Sequence, residues 1–329
     1  MKKLINNVES AIDESLEGFA AAHGDIVTVA LGPTFVRRKT LKPGKVALIS
    51  GGGSGHEPLH SGFVGYGMLD AACPGQVFTS PTPDQMLAAA QSVDGGAGVL
   101  FIVKNYSGDK MNFQMASEML DLENAVAMVD DDVAVMNSTY TTGRRGVAGT
   151  VLVEKVVGAA AEAGYDLKAC RALAERVNKG CASMGVALTS CTVPAAGRPT
   201  FDIGEDEIEV GVGIHGEPGR RREALKSADE IVADLTAAIL QDLQPRSGAE
   251  ALLFVNGFGA TPLLEQYLVF NSAAKRLRQA GLAVTRSLVG NYTTALEMAG
   301  VSVTVCLLDD EIRRFWDAPV HTAALRWGC

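Results

Sequence analysis

An apolar segment that runs directly into a cluster of glycines constrains the fold more than any other stretch of this chain. Val46–Ile49 is continuous in apolar residues, which predicts a buried strand, and Ser50-Gly-Gly-Gly-Ser-Gly-His-Glu-Pro58 follows it. Glycine permits positive φ and lets a ligand approach main-chain N–H groups closely. Open α/β sheets place their sites at such strand C-termini. We therefore predict a glycine turn and a functional site here, with His56 as its first candidate residue.

Two further predicted strands also end in polar residues. Val99–Val103 is continuous in apolar residues and leads into Lys104-Asn-Tyr-Ser-Gly-Asp109, while Ala125–Val129 leads into Asp130–Asp132. Helical segments lie between these strands, and this alternation predicts a mixed or mainly parallel sheet with helices on its faces. The three aspartates have the chemistry of a Mg²⁺ site, but we interpret them as a solvated acidic cluster at a strand end.

The sequence predicts two α/β domains, each a mixed or mainly parallel sheet covered by helices. A helix is predicted over Leu167–Met184, and the composition changes shortly after it. We place an N-terminal domain at residues 1–183, with the glycine turn and the loop Lys104–Asp109. The C-terminal domain at residues 184–329 carries His215, and its tail is expected to pack back on the body.

The net charge, the N-terminal sequence and the spacing of the cysteines predict a cytoplasmic protein. They predict neither a nucleic-acid partner nor a membrane partner. The formal net charge of the 329 residues is −9 at pH 7, which disfavours nucleic acid and anionic membranes. The N-terminus lacks the apolar core of a signal peptide, and no run approaches the ~18 apolar residues of a membrane span. The six cysteines show no C-x-x-C spacing, as expected of reduced thiols.

Two short motifs compete with this interpretation, and both fail on their context. His56-Glu-Pro-Leu-His60 matches the zincin pattern H-E-x-x-H, but a proline lies inside it and no third-ligand helix follows, so we expect no metal site. Gly211-Val-Gly-Ile-His-Gly216 matches G-x-G-x-x-G, but Glu217-Pro-Gly219 stands where the helix of a dinucleotide site should begin. The chain also lacks G-x-x-x-x-G-K-[ST], the pattern of a phosphate loop.

Polar and glycine residues at the predicted strand ends are the remaining candidates. They are Gly53, Ser54, His56, Lys104, Asp109 and His215. A single histidine at a strand end is more often a hydrogen-bonded structural residue, but three strand ends that combine glycine with an ionisable residue favour a shared site. A histidine flanked by glycine can act as a base or a nucleophile. Asp109 near Lys104 would stay ionised and accept a proton from a hydroxyl.

With these residues assembled, the chain closely resembles the K-subunit family of dihydroxyacetone kinases. The resemblance spans essentially the whole chain, with the matching stretches in the family's order. They are Ser50–Pro58, Thr79-Ser-Pro-Thr-Pro-Asp84, Lys104–Asp109, Asp130-Asp-Asp-Val-Ala-Val135, Gly143-Arg-Arg-Gly-Val-Ala148, Gly211–Gly219 and Trp316-Asp-Ala-Pro-Val-His321. Together these stretches are far more specific than any one motif.

The resemblance implies two α/β domains, a homodimer and a substrate carbonyl that is captured covalently on His215 as a hemiaminal. It also implies that His56 and Asp109 act as acid/base groups, and that either one helps to deprotonate the hydroxyl that attacks phosphorus. The residues implied to bind dihydroxyacetone are Gly53, Ser54, Gly55, His56, Lys104 and Asp109. Tethering would position a small substrate for phosphoryl transfer and would select carbonyls over glycerol.

The resemblance further implies that this chain binds no cofactor itself. The sequence ends at Cys329 without the nucleotide-binding domain of single-chain relatives, so ADP or ATP with Mg²⁺ is expected on a partner L subunit. Asn256-Gly-Phe-Gly-Ala-Thr-Pro262 looks more like the multi-subunit form, in which a phosphotransferase-type M subunit recharges the nucleotide. A phosphoenolpyruvate-driven relay is therefore favoured over free ATP. The region after Leu243 is short compared with longer relatives.

Two alternatives stay open at the level of sequence. Paralogues of this subunit act as non-catalytic sensors of dihydroxyacetone or as coactivators, and the same chemistry can serve another short ketose or aldose, such as erythrulose. The presence of both His56 and Asp109 favours the enzyme over the sensor. The sequence does not decide which ketose is used.

Overall fold

The computed structural model describes residues 2–329, which fold into two large sheets with helices packed on and between them. The strands are β1 (Val27–Leu31), β2 (Thr34–Arg38), β3 (Ala47–Ser54), β4 (Gly65–Tyr66), β5 (Ala71–Val77), β6 (Val99–Lys104), β7 (Asn124–Val129), β8 (Asn137–Ser138), β9 (Thr141–Thr142), β10 (Cys181–Ala187), β11 (Glu207–Val210), β12 (Arg221–Ala224), β13 (Glu250–Gly257), β14 (Ala283–Gly290), β15 (Gly300–Leu308), β16 (Val320–Thr322) and β17 (Arg326–Trp327). The helices are α1 (Ala11–Ala22), α2 (Pro83–Val93), α3 (Ser107–Met119), α4 (Gly149–Glu162), α5 (Leu167–Lys179), α6 (Ala228–Leu243), α7 (Leu263–Gln279) and α8 (Asp310–Asp317).

The first large sheet has the strand order β1-β2-β5-β3-β6-β7. Strands β5, β3, β6 and β7 are parallel, whereas β1 and β2 extend the sheet in antiparallel pairing. Every residue of β6 is buried, because helices cover both faces of this sheet. The prediction of a buried strand at Val99–Val103 is therefore confirmed. The C-terminal ends of β3 and β6 lie at the same edge, which brings together the residues that follow them.

The second large sheet has the strand order β12-β11-β10-β15-β13-β14. Only β13 and β14 pair in parallel, and the other neighbours in this sheet are antiparallel. The predicted fold class, with mixed sheets covered by helices, is confirmed. The remaining strands form two small sheets, which are the hairpin β8-β9 and the ribbon β17-β16-β4. In the ribbon, His321 near the C-terminus pairs with Tyr66.

The glycines after Val46–Ile49 extend a strand, so the predicted position of the turn is wrong. Strand β3 continues through Gly51, Gly52 and Gly53, which pair with Cys73, Pro74 and Gly75 of β5. The chain turns only at Gly55, whose φ is +100°. A Cβ on Gly51 would lie 2.6 Å from the Cys73 carbonyl oxygen. The first glycines therefore permit close approach inside the sheet, and the later one makes the turn.

The helix predicted over Leu167–Met184 ends at Lys179, and the residues that follow form the buried strand β10. Gly180 separates the two elements, and all seven residues of β10 are buried between β11 and β15. Burial on both faces removes the alternation that would have distinguished this strand from a helix. The predicted domain boundary at 183/184 lies inside β10. The division into two domains at that point stays a prediction.

Helix α4 lies at the centre of the fold. Nearly all its residues are buried, and one apolar cluster joins α4 to β3 and β6 of the first sheet and to Phe254 and Cys306 of the second. Asp131 accepts hydrogen bonds from the main-chain N–H groups of Val147 and Gly149 at the start of α4, at 2.8 and 2.7 Å. Interpreting Asp130–Asp132 as a solvated cluster is thus wrong for Asp131 and Asp132, which are buried.

A survey of the helices within residues 2–329 finds none with the length and apolar character required to cross a bilayer.

Candidate active site

A cavity of about 470 Å³ lies where the polar end of the first sheet meets the turn between β11 and β12. It is lined by Gly53 at the end of β3, by Tyr106 and Asp109 after β6, and by His215 from the turn. Phe78 and Tyr140 complete part of its wall, but both come from connecting segments. The structure therefore brings together predicted site residues that lie more than 150 positions apart in the sequence.

His215 presents a free ring nitrogen towards this cavity. Its Nδ1 lies 2.9 Å from Oε1 of Glu217, and its main-chain N–H donates to Oε2 of the same residue at 2.9 Å. Because an ionised carboxylate can only accept, Nδ1 carries the proton and Nε2 keeps its lone pair. The side chain is 14% exposed. This arrangement, an imidazole oriented by a carboxylate, is how a histidine nucleophile is prepared.

Glu217 is held as a carboxylate by its surroundings. Burial raises its pKa, but the neighbouring His215 and the guanidinium of Arg145 outweigh burial and lower the pKa of Glu217 to about 2. Arg145 is itself fully buried and donates from Nε to Oδ2 of Asp132 at 2.7 Å. A Cβ on Gly213 would overlap the Glu217 carboxylate, so the turn needs glycine at that position. The result is a fixed acceptor for the His215 Nδ1–H.

We expect Glu217→Gln to destabilise the protein in a pH-dependent way. Since the folded-state pKa of Glu217 is lowered from 4.5 to about 2, ionised Glu217 contributes stability above pH ~4.5, and this contribution is lost as the pH falls towards 2. The variant should lose up to about 3 kcal/mol at pH 7, and less at pH 3. Urea unfolding at the two pH values measures this difference. The exposed Glu205→Gln is the control, and an equal loss at both pH values would contradict the argument.

His56 is a buried, neutral histidine beside His215. Its Nδ1 lies 2.7 Å from the Thr294 carbonyl oxygen, which can only accept, so Nδ1 bears the proton. Nε2 is buried and has no hydrogen-bond partner among residues 2–329. Burial, followed by the charges of His215 and Lys104, lowers the pKa of His56 well below its usual value. The ring centroids of His56 and His215 are 4.8 Å apart. A neutral imidazole with a free Nε2 is suited to accept a proton.

Asp109 lines the same cavity as His215, and Lys104 lies next to Asp109. Asp109 lies in the first turn of α3, is buried, and its Oδ1 has no hydrogen-bond partner in the described part of the chain. Lys104 ends β6, and its Nζ is 3.8 Å from Oδ2 of Asp109. Burial lowers the pKa of Lys104, against the opposing charges of Asp109 and Glu154. Asp109 thus offers one free carboxylate oxygen to the cavity, next to a buried cation.

Ser54 and Gly55 line a different cavity from Gly53 and Asp109, while His56 and Lys104 line neither of the two. The Ser54 hydroxyl donates to the Gly75 carbonyl at 2.7 Å. Both residues line a separate cavity of about 640 Å³, towards α1. That cavity is larger than the one at His215 but contains neither His215 nor Asp109. The substrate-binding role of Ser54 and Gly55 stays a prediction that rests on the resemblance alone.

The two competing motifs serve local structure. Both ring nitrogens of His60 are engaged, Nδ1 with Glu154 at 2.6 Å and Nε2 with Lys104 at 2.7 Å, so neither is available to a metal. Residues 211–220 form the connection between the antiparallel strands β11 and β12, and no helix follows the G-x-G-x-x-G match. The match therefore lacks the helix N-terminus on which a dinucleotide loop depends.

Several residues of the site were missed by reasoning from sequence. The ring of Phe78 lies 5.2 Å from that of His215, and the ring of Tyr106 lies 4.7 Å from it, both edge-on. Tyr106 lies inside the polar stretch Lys104–Asp109, whereas no pattern in the sequence indicated that Phe78 belongs to the site. Glu217 lies two residues after His215 in a glycine- and proline-containing turn. That spacing was the available indication of a carboxylate–histidine pair.

Fold and site together define an α/β protein with a carboxylate-oriented histidine and an aspartate at a small cavity, and with a neutral histidine beside the first one. The profile of the Dak1 domain matches residues 17–324. The chain belongs to the Dak1 domain family.

Individual relatives agree with this assignment. The chain is 49% identical, over all of both chains, to the dihydroxyacetone-binding subunit of the PEP-dependent dihydroxyacetone kinase of Escherichia coli. Among solved structures, the dihydroxyacetone kinase of C. freundii superposes with a TM-score of 0.88 at 33% identity, covering 99% of this chain and 60% of that one. A dihydroxyacetone kinase operon co-activator also superposes with a TM-score of 0.88, at 32% identity, covering 97% of this chain and 98% of that one.

Proposed function

We propose that this chain is the dihydroxyacetone-binding subunit of a phosphoenolpyruvate-dependent dihydroxyacetone kinase. It captures the ketone on His215 and presents a hydroxyl for phosphorylation, which gives dihydroxyacetone phosphate. The observation that carries the proposal is the free Nε2 of His215, with Nδ1 tied to Glu217, at a cavity that also contains Asp109. The names of relatives that are about half identical to this chain point to the same activity.

Capture requires one new bond and the movement of protons. The Nε2 lone pair of His215 adds to the carbonyl carbon, and the π electrons of the C=O bond move to oxygen. The imidazole becomes positively charged as the bond forms, and the adjacent Glu217 carboxylate stabilises that charge. The oxygen takes up one proton from solvent and becomes the hydroxyl of a hemiaminal, whose imidazolium keeps its Nδ1 proton hydrogen-bonded to Glu217. The two terminal hydroxyls of the substrate remain free.

Phosphoryl transfer then needs a positioned hydroxyl more than further covalent chemistry. In the proposal, Asp109 accepts the proton of the hydroxyl that attacks phosphorus, through its free Oδ1. The ring of His56 lies 4.8 Å from that of His215, and its tautomer makes Nε2 an acceptor of a hydroxyl proton. Lys104, next to Asp109, supplies positive charge where negative charge develops.

The phosphoryl group arrives on a partner in this proposal. ADP or ATP with Mg²⁺ is held by a separate L subunit, and an M-type phosphotransferase subunit recharges it from phosphoenolpyruvate. The printed names of the relatives, which describe one subunit of a PEP-dependent kinase, support a multi-subunit system. A homodimer of this chain and a cytoplasmic location belong to the same proposal. The six free cysteines, five of them buried, fit a reducing compartment.

A non-catalytic sensor is the second candidate, because a co-activator superposes on this chain as well as a kinase does. A sensor needs His215 for ketone capture, but it does not need groups that accept protons from a hydroxyl. His56 and Asp109 both keep a buried acceptor atom that has no hydrogen-bond partner within residues 2–329. These unpaired acceptors favour the kinase subunit, since a buried polar atom without a partner is costly unless it has a function.

Reconstitution with a cognate L subunit and the phosphoenolpyruvate relay tests this function directly. We expect phosphorylation of dihydroxyacetone, slower or equal turnover of erythrulose, and no turnover of glycerol, which has no carbonyl to capture. Replacing the relay by ATP alone should support little turnover beyond one equivalent of bound nucleotide. Efficient phosphorylation of glycerol, or ketone binding without any turnover, would contradict the proposed enzyme.

A further inference from the structure

Lys104 continues into a buried chain of three side chains, and its other two members, His60 and Glu154, have no role in the chemistry above. The Lys104 Nζ is 2.7 Å from Nε2 of His60, and Nδ1 of His60 is 2.6 Å from Oε1 of Glu154. The exposed fraction is 1% for Lys104, 5% for His60 and below 1% for Glu154. Glu154 projects from the central helix α4, so this chain connects the core of the protein to the active site.

The hydrogen bonds of Lys104 leave one donor for a ligand. An ammonium has three N–H donors. Within residues 2–329, one points to the Gly51 carbonyl at 3.3 Å and one to His60 Nε2. The remaining side of the ammonium faces Asp109, at 3.8 Å and beyond hydrogen-bond distance. A Cβ on Gly52 would lie 2.4 Å from Nζ, so glycine at that position leaves room for the ammonium.

We propose that His60 and Glu154 are positioning residues that fix both the direction and the charge of the Lys104 ammonium. His60 accepts from Lys104 through Nε2 and donates from Nδ1 to Glu154. With two donors held in place, the third is directed to the substrate oxygen beside Asp109. This inference rests on the proposed kinase function, because it assigns Lys104 to that reaction.

The charges around the chain support this role. An isolated buried ammonium is unfavourable, and its pKa falls unless anions face it. Asp109 from α3 and Glu154 from α4 are the anions that raise the pKa of Lys104 against burial. His56 and Lys104 are the groups whose charges act on His60. Burial raises the pKa of Glu154 to about 8 against the charge of Lys104, so Glu154 is an anion on the basic side of the pH profile, where its charge sustains that of Lys104.

A purely structural role predicts a different outcome from a positioning role. If the three side chains only fill the core, a variant changes stability and leaves the pH dependence of turnover unchanged. If they hold the charge of Lys104, removal of the Glu154 carboxylate lowers the pKa of Lys104 further. Activity should then be lost at a lower pH, which moves the basic limb of the pH profile in the acid direction.

The test compares Glu154→Gln with Glu162→Gln in the complete kinase system. Glutamine has nearly the same shape as glutamate, and Glu162 is a second buried carboxylate of α4 that pairs with Arg38, away from the site. Misplacing a catalytic group by about 1 Å costs roughly 100-fold. We therefore expect E154Q to lower kcat/KM about 100-fold, with the basic limb moved to lower pH and ketone capture on His215 retained. E162Q should lose stability only, with both kinetic measures within twofold of the parent protein.

His60 provides a second variant with a conservative rescue. His60→Gln can still accept from Lys104 and donate to Glu154, whereas His60→Leu can do neither. H60Q should therefore lose at least fivefold less activity than H60L. Equal losses in the two variants, or an unshifted basic limb in E154Q, would overturn the inference. Turnover by the parent protein is measured first, so a failure of the proposed kinase function is seen before any variant is compared.

Discussion

Replacing His215 by alanine is expected to abolish covalent capture of dihydroxyacetone and to lower turnover at least 1,000-fold. Covalent attachment holds the substrate hydroxyl in position for its attack on phosphorus. The effective molarities of such positioned reactions are large enough to account for a 1,000-fold loss of turnover when the attachment is removed. The fold should tolerate the change, because His215 lies on a turn at the edge of the cavity and its side chain is 14% exposed. Intact-mass spectrometry under gentle conditions and steady-state kinetics measure the two effects.

The matched control for this variant is His23→Ala. His23 is a partly exposed histidine that follows α1, outside the site. It should form the adduct and turn over at the parent rate. Normal turnover by H215A would show that the reaction does not pass through a histidine adduct, and an adduct in H215A would place the nucleophile elsewhere.

Asp109→Asn is expected to separate capture from phosphoryl transfer. The amide keeps the size of the side chain but cannot accept a proton from the attacking hydroxyl, and loss of such a group costs about 10²- to 10⁴-fold in kcat. The adduct on His215 should still form, because Glu217 and not Asp109 orients the imidazole. Single-turnover phosphorylation with a charged L subunit, together with adduct detection, measures both steps.

Asp121→Asn is the corresponding control, since Asp121 is exposed just beyond the end of α3. It should behave as the parent protein. Turnover of D109N within about fivefold of the parent would assign the proton acceptor to another group, with the free Nε2 of His56 as the first candidate.

The α/β class and most of the site were predictable because they depend on local patterns. The run Val99–Val103 is apolar at every position, so a strand buried on both faces was a sound prediction. Lys104 and Asp109 directly follow it, and parallel neighbours put their C-terminal ends together. His215 was assigned its covalent role only through the family resemblance. The structure adds the Glu217 contact, which gives that role a physical basis.

Other features depend on tertiary contacts that a sequence pattern does not contain. Gly51–Gly53 suggested a turn, but they pair with β5 and extend β3, and at Gly51 the neighbouring strand lies 2.6 Å from where a Cβ would be. Cys181–Ala187 continued an apolar pattern after a helix, and only its position between β11 and β15 makes it a strand. His60 was considered as half of a zinc motif, whereas its partner Glu154 lies 94 positions away on α4.

Carbon-13 NMR tests covalent capture by His215 most directly. Dihydroxyacetone labelled at its carbonyl carbon is added to protein whose histidines carry nitrogen-15. The account predicts that one equivalent of the ketone resonance is replaced by a tetrahedral-carbon resonance that is split by one-bond coupling to nitrogen, and that this signal is absent in H215A. The coupling separates the adduct from simple hydration of the ketone. Bound dihydroxyacetone that keeps its ketone resonance, or a tetrahedral carbon without coupling to nitrogen, would contradict it.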